Sequence, residues 1–172
     1  MRFAWVAPTL LTVSGGALAD WQYSKWGMTD KQVIAASGGT ARAVRDEKDQ
    51  RIGKMRRLVV GEVMVGATQL PVDFYFKDKQ LQLIRYDLGL NDGCAEKEAV
   101  FVEAFGPAEP KSNSTEFRER TVILIKSRSR SWTTEGGDTL NFNVIWFERP
   151  DLPGVKSKSI CMAAITPPGQ SN

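Results

Sequence analysis

Alternation dominates the middle of this chain. Val59, Val63 and Val65 share one parity in "LVVGEVMVG", and Leu70, Val72, Phe74 and Phe76 share one in "QLPVDFYF". A period of two predicts strands with one buried face. The short link "KDK" at 77–79 leads into "QLQLIRYDL", where Leu81 and Leu83 fall opposite Ile84, Tyr86 and Leu88. A link of that length joins antiparallel neighbours. Further on, "TEFRERTVILIKSRSRSWTT" and "TLNFNVIWFE" flank the turn "EGGD" and read as a long hairpin. Its second arm would bury Leu140, Phe142, Val144 and Trp146. "SKSICMAAI" reads as the last strand, with "EPKSNS" and "RPDLPG" as loops.

Two stretches change period. Thr29 precedes "DKQVIAAS" and Gln32 follows it by three, a capping-box spacing, and Gly38-Gly39 end the segment. Met28 is placed to staple onto Val33, with Trp26 over the same face. In "CAEKEAVFVEAFGP", Ala95, Val100, Phe101, Ala104 and Phe105 recur at helical spacing until Gly106-Pro107 stops them. The mixed-charge stretch from Thr40 to Arg57 reads as a solvated connection or a frayed helix.

Helix, strands, helix, strands is the resulting order. It predicts an α+β two-layer sandwich of short helices on an antiparallel β-sheet, and points to two degenerate α-β units. The pattern predicts one domain over 20–166, divisible into halves 20–90 and 91–166, and a disordered tail over 167–172.

The segments "WGMTDKQVIAASGG", "VDFYFKDKQLQLIRYDL" and "VFVEAFGP" resemble small exported bacterial proteins whose "GM(S/T)…V" helix ends in glycine before an aromatic strand pair. Their architecture is similar to the outer-membrane assembly lipoprotein BamE and the tandem-repeat β-lactamase-inhibitor protein. The resemblance implies a fold and no activity. This chain is longer than BamE and lacks its lipid-anchoring cysteine, and no inhibitory loop carries over by residue.

The N-terminus adds a compartment. Arg2, the apolar run Phe3–Val13 and the small-residue tract "SGGALA" form the three parts of a secretory leader, with cleavage expected after Ala19. A run of that length is too short for a membrane span, which needs about 20 residues. The mature chain would be periplasmic or secreted. Lys and Arg number 23 against 20 Asp and Glu over the whole chain. Such a balance creates no field for gathering nucleic acid. Cys94 and Cys161 are the only cysteines. In an oxidising compartment they read as a disulfide, and without C-x-x-C spacing they carry no redox motif.

Candidate chemistry is sparse. The absence of histidine removes Ser-His-Asp and Cys-His systems and imidazole metal ligands. "NDG" at 91–93 and "GGD" at 136–138 are turn sequences that continue into no calcium loop. No cofactor motif is present. Asp73, Glu103, Glu116 and Glu135 are scattered carboxylates that only a folded structure could pair.

One charge pattern stands out in "FRERTVILIKSRSRSW". On a single regular strand Arg118, Arg120, Lys126, Arg128, Arg130 and Trp132 would share a face. That stripe is a candidate site for an anionic envelope component. A solvated face is the plain alternative, and Val122 and Leu124 interrupt the stripe, which calls for a bulge or break. Trp26 and Trp146 have apolar neighbours and belong to the core. Trp21 and Trp132 adjoin polar residues and are candidate contact aromatics. The readings in play are a non-enzymatic exported binding or envelope-accessory module, an inhibitor of a secreted hydrolase, and a carboxylate-based cell-wall glycosidase. The first expects a partner that is a protein or an anionic envelope component.

Overall fold

A computed structural model describes residues 22–44, 50–89, 93–118, 122–150, 152 and 159–169. The leader and its cleavage site, Trp21, Arg120 and the end of the tail therefore lie outside the described residues. So does most of "RPDLPG".

The described chain is mostly antiparallel β-sheet with two short helices, an α+β arrangement. The elements are α1 (Asp30–Ala36), β1 (Ala41–Ala43), β2 (Arg51–Ile52), β3 (Met55–Val65), β4 (Thr68–Lys77), β5 (Gln80–Tyr86), α2 (Cys94–Phe105), β6 (Lys111–Arg118), β7 (Val122–Thr133), β8 (Thr139–Glu148) and β9 (Ser159–Thr166). The strands form one nine-stranded sheet in the order β1-β3-β4-β5-β9-β8-β7-β6, with β2 also paired to β3. No helix among the described residues is long and apolar enough to cross a membrane.

Local chemistry accounts for the first helix as expected. The Thr29 hydroxyl accepts from the Gln32 backbone, and the Gln32 side chain answers at the Thr29 backbone, a complete capping box. Met28 and Trp26 pack against the core, and Trp26 Nε1 donates to Asp138 Oδ1 at 2.7 Å, tying this segment to the β7–β8 turn.

The core is one cluster. Val33 of α1 and Cys94 and Phe101 of α2 join Val59, Phe74, Ile84, Tyr86, Phe142 and Ile165 of the sheet. Phe101 sits at its centre, edge-on to Tyr86 at 5.0 Å and 5.2 Å from Phe142. Burying one such ring removes about 150–250 Å² from water.

Four expectations are corrected. The polar stretch after α1 contributes β1 and β2, both against β3, with residues 45–49 outside the described residues. "KSNS" is the start of an edge strand, β6, and not a loop. A register shift beyond Tyr75 pairs Phe76 with Leu81, so Leu81 joins Ile84 in the core while Leu83 stays opposite Tyr75. On α2, Ala95 and Ala104 are exposed, and the buried positions are Cys94, Glu98 and Phe101.

Gly61 of β3 is fixed by space and not by backbone angle. A Cβ there would lie 2.9 Å from Ala41 Cβ and 2.9 Å from the Tyr23 hydroxyl. Overpacking of this kind costs about 1–3 kcal/mol. Gly61→Ala is therefore expected to lower the urea midpoint by that amount of stability, and adding Ala41→Gly should recover part of it. Unchanged stability in the single variant would show that β1 is free to move away.

Candidate functional site

The basic stripe divides into two strands. Arg118 pairs with Val122 across β6 and β7, so Arg118 and the group Lys126–Arg130 do not share a strand. Arg120 lies outside the described residues.

On β7 the remaining cations meet carboxylates of the protein itself. Arg128 Nη2 donates to Glu98 Oε2 and Arg130 Nε to Glu98 Oε1. Arg130 also donates to the Ala108 carbonyl. Glu98 is buried on α2, one turn from Cys94 and one from Phe101. Lys126 Nζ lies 2.7 Å from Glu148 Oε2. This Lys126 partner, helped by an N–H from Trp146, holds the Glu148 carboxyl below its ordinary value. Two of the stripe's cations, Arg128 and Arg130, thus tie β7 to α2, and the third, Lys126, pairs with β8.

Trp132 is likewise corrected as a contact aromatic. It is only 7 % exposed, its ring lies 6.1 Å from Phe105, and its Nε1 donates to the Gly106 carbonyl at 2.8 Å. A polar sequence neighbourhood misled here, because alternation placed the indole over the end of α2. Cys94 and Cys161 form the expected pair, with Cα atoms 5.6 Å apart. That separation is ordinary for a disulfide.

Charge also collects on the other parity of the sheet. Asp73 of β4 is 3 % exposed. Its Oδ1 accepts from Arg57 Nη1 at 3.1 Å and its Oδ2 from Arg85 Nη2 at 2.8 Å. The Arg85 guanidinium lies 5.2 Å from the centre of the Tyr75 ring. Register explains the meeting: Asp73 is directly opposite Arg85, and Arg57 is opposite Tyr75. A register shift between Arg57 and Val59 turns Arg57 to the Asp73 face, a common use of a bulge.

Beside this triad lies a cavity of about 560 Å³. Arg57 and Asp73 line its inner part, and Arg42, Glu62 and Asp87, all exposed, line its mouth. Its volume is within the range of small-molecule sites, about 300–1,000 Å³, but its lining is unusually polar. Of the carboxylates singled out from sequence, only Asp73 lies here, and both its oxygens are engaged by guanidinium groups. Sequence reasoning missed Arg57, Arg85 and Glu98. The available signal was an acid inside the apolar run "VDFYF", which demands a buried partner.

Tyr75 gives the triad a pH signature. Burial is the largest cause raising its phenol above 10.0, Arg85 opposes that shift, and Asp73 adds to it. Burial also raises Tyr23. The unfolded phenols lose protons first, so between the unfolded and folded values the native state binds more protons. Stability should therefore be intact below pH 10 and fall as pH rises beyond it. Urea midpoints from pH 9 to 11 check this, and Tyr75→Phe should flatten the decline. An equally steep decline in that variant would remove Tyr75 as a contributor.

Comparison with family models, curated proteins and solved structures returned no match for this chain.

Proposed function

We propose that this protein is an exported, non-enzymatic binding or envelope-accessory module, acting in the periplasm or outside the cell, with its binding site at the cavity beside Asp73. The observation that carries the reading is that cavity: a small-molecule-sized hollow with an ion triad in its wall and charges of both signs at its mouth. The leader at residues 1–19 and the Cys94–Cys161 pair support export. The β7 cations, which from sequence were the candidate site, hold α2 in this reading.

The fold is a two-layer sandwich built from two degenerate units, each a helix followed by antiparallel strands. Its support is the chain order: α1 precedes β1–β5, α2 precedes β6–β9, and the last strands of the two units pair with each other. This order is what a likeness to BamE or to the tandem β-lactamase-inhibitor protein would entail.

Ligand-induced stabilisation is the test. Thermal unfolding of the full chain should shift upward with at least one of a panel of cell-wall fragments, lipid headgroups, sugars and amino acids. The shift should shrink in Arg42→Glu or Asp87→Lys, both at the cavity mouth. A shift that survives those changes but vanishes in Arg128→Ser/Arg130→Ser would move the site to β7 and contradict the reading.

A further inference from the structure

Residues on this face fall into rows that the strand register makes explicit. Arg42, Val60, Asp73 and Arg85 are successive cross-strand partners on β1, β3, β4 and β5. Two residues along lies a second row, in which Glu62 is opposite Pro71 and the Asp87 N–H donates to the Pro71 carbonyl. Adjacent same-face rows on a sheet are about 7 Å apart.

The two rows differ in sign. The first is positive: Asp73 is outnumbered by its row neighbour Arg85 and by Arg57, which reaches it from the row of Tyr75, and Arg42 adds a further positive charge at the mouth. The second presents Glu62 and Asp87, both acidic and exposed. Nothing in the cavity lining adds a further formal charge. A simple anion would satisfy the first row and be repelled by the second, and a simple cation would meet the reverse. A molecule with a carboxylate at one end and an ammonium at the other matches both rows at once. An extended dipeptide separates these charges by about one row spacing, and an amino acid by less, a gap that long Arg and Glu side chains close. Val60 and Pro71, on the same face, offer an apolar strip between them for the body of the molecule.

We infer that the cavity binds a small zwitterion of the amino-acid or dipeptide class, its carboxylate toward Arg57 and Arg42 and its ammonium toward Glu62 and Asp87. This inference rests on the reading of the cavity as a binding site and specifies what that site takes.

Calorimetric titration of the full chain at low salt tests it, with glycine, L-alanine and L-alanyl-L-alanine as probes. N-acetylalanine lacks the ammonium, alanine amide lacks the carboxylate, and inorganic phosphate is a bare anion. Saturable heat is expected from at least one zwitterion. Its affinity should fall about tenfold when either charge is blocked, the effect of losing one charge-assisted contact. Arg57→Gln should abolish binding, and because that change could disturb folding, Arg42→Gln and Asp87→Asn at the exposed mouth give independent readings, each weakening binding. Binding indifferent to blocking, or heat from phosphate alone, overturns the zwitterion assignment and leaves the cavity as a site for another class. Absence of heat from every zwitterion also overturns it. If the wider panel gives no stabilisation either, the binding reading fails with it.

Discussion

Glu98→Ala is expected to cost about 3 kcal/mol, the low end of what breaking a buried ion pair costs. Its side chain is 8 % exposed and receives Arg128 and Arg130 together. Removing the carboxylate leaves two guanidiniums between α2 and β7 with their shared partner gone. The low end applies because both arginines are partly open to water, at 37 % and 24 % exposure, and hydration offsets some of the loss. Chemical denaturation should show a lower midpoint with little change in slope. Glu98→Gln should lose nearly as much, since the amide keeps the shape and not the charge. Replacing the whole triad, Glu98→Leu with Arg128→Leu and Arg130→Met, should recover most of the stability, because an apolar substitute for a buried ion network is often neutral or better. Glu98→Ala should also create what the sequence advertised: phosphate or an anionic lipid headgroup should stabilise this variant through the freed arginines and leave the parent unmoved. A parent protein equally stabilised through Arg128 and Arg130 would show that Glu98 does not close the stripe.

Loss of the Cys94–Cys161 bond is expected to cost about 4 kcal/mol on the chain-entropy account of a loop of this length. The sequence separation is 67 residues, and both cysteines are buried. Local structure makes the bond more consequential. The residue before α2 is Gly93, which has no side chain to cap the helix. Hydrogen bonding from Lys97 to the Leu88 carbonyl and the bond to β9 are the described ties at that end. In Cys94→Ser/Cys161→Ser, hydrogen exchange should accelerate first in the opening turns of α2, then along β9, while α1 and β3 keep their protection. A stability loss below about 1 kcal/mol would mean that Glu98, Phe101 and Phe105 suffice to hold the helix, well under the usual value of such a bond.

How much of this was legible in the sequence depends on where each residue finds its partner. The α1 capping box and the β4 core face, with Val72, Phe74 and Phe76, follow from contacts or periodicity within one short segment. The β6 strand did not, because "KSNSTE" is exposed throughout at the sheet edge and so shows no apolar alternation. Glu98 was invisible for another reason. A lone acid in an apolar helical stripe looks like an interruption until β7 supplies Arg128 and Arg130, some thirty residues away. The cavity was harder still. Arg57 reaches Asp73 only because a register shift in β3 changes its parity, and cross-strand rows depend on registers that composition does not encode. The basic stripe, conversely, was read correctly as a shared face for Lys126, Arg128 and Arg130, but the face is the one that meets α2.

We propose that the working form is an exported chain, cut after Ala19 and closed by Cys94–Cys161. The decisive measurement is the intact mass of the native protein, recovered from the fraction outside the cytoplasm and kept from reductant. A chain beginning at Asp20 and lighter than its reduced form by the two thiol hydrogens is expected. A chain that retains residues 1–19, stays in the cytoplasm and carries two free thiols would contradict the proposal.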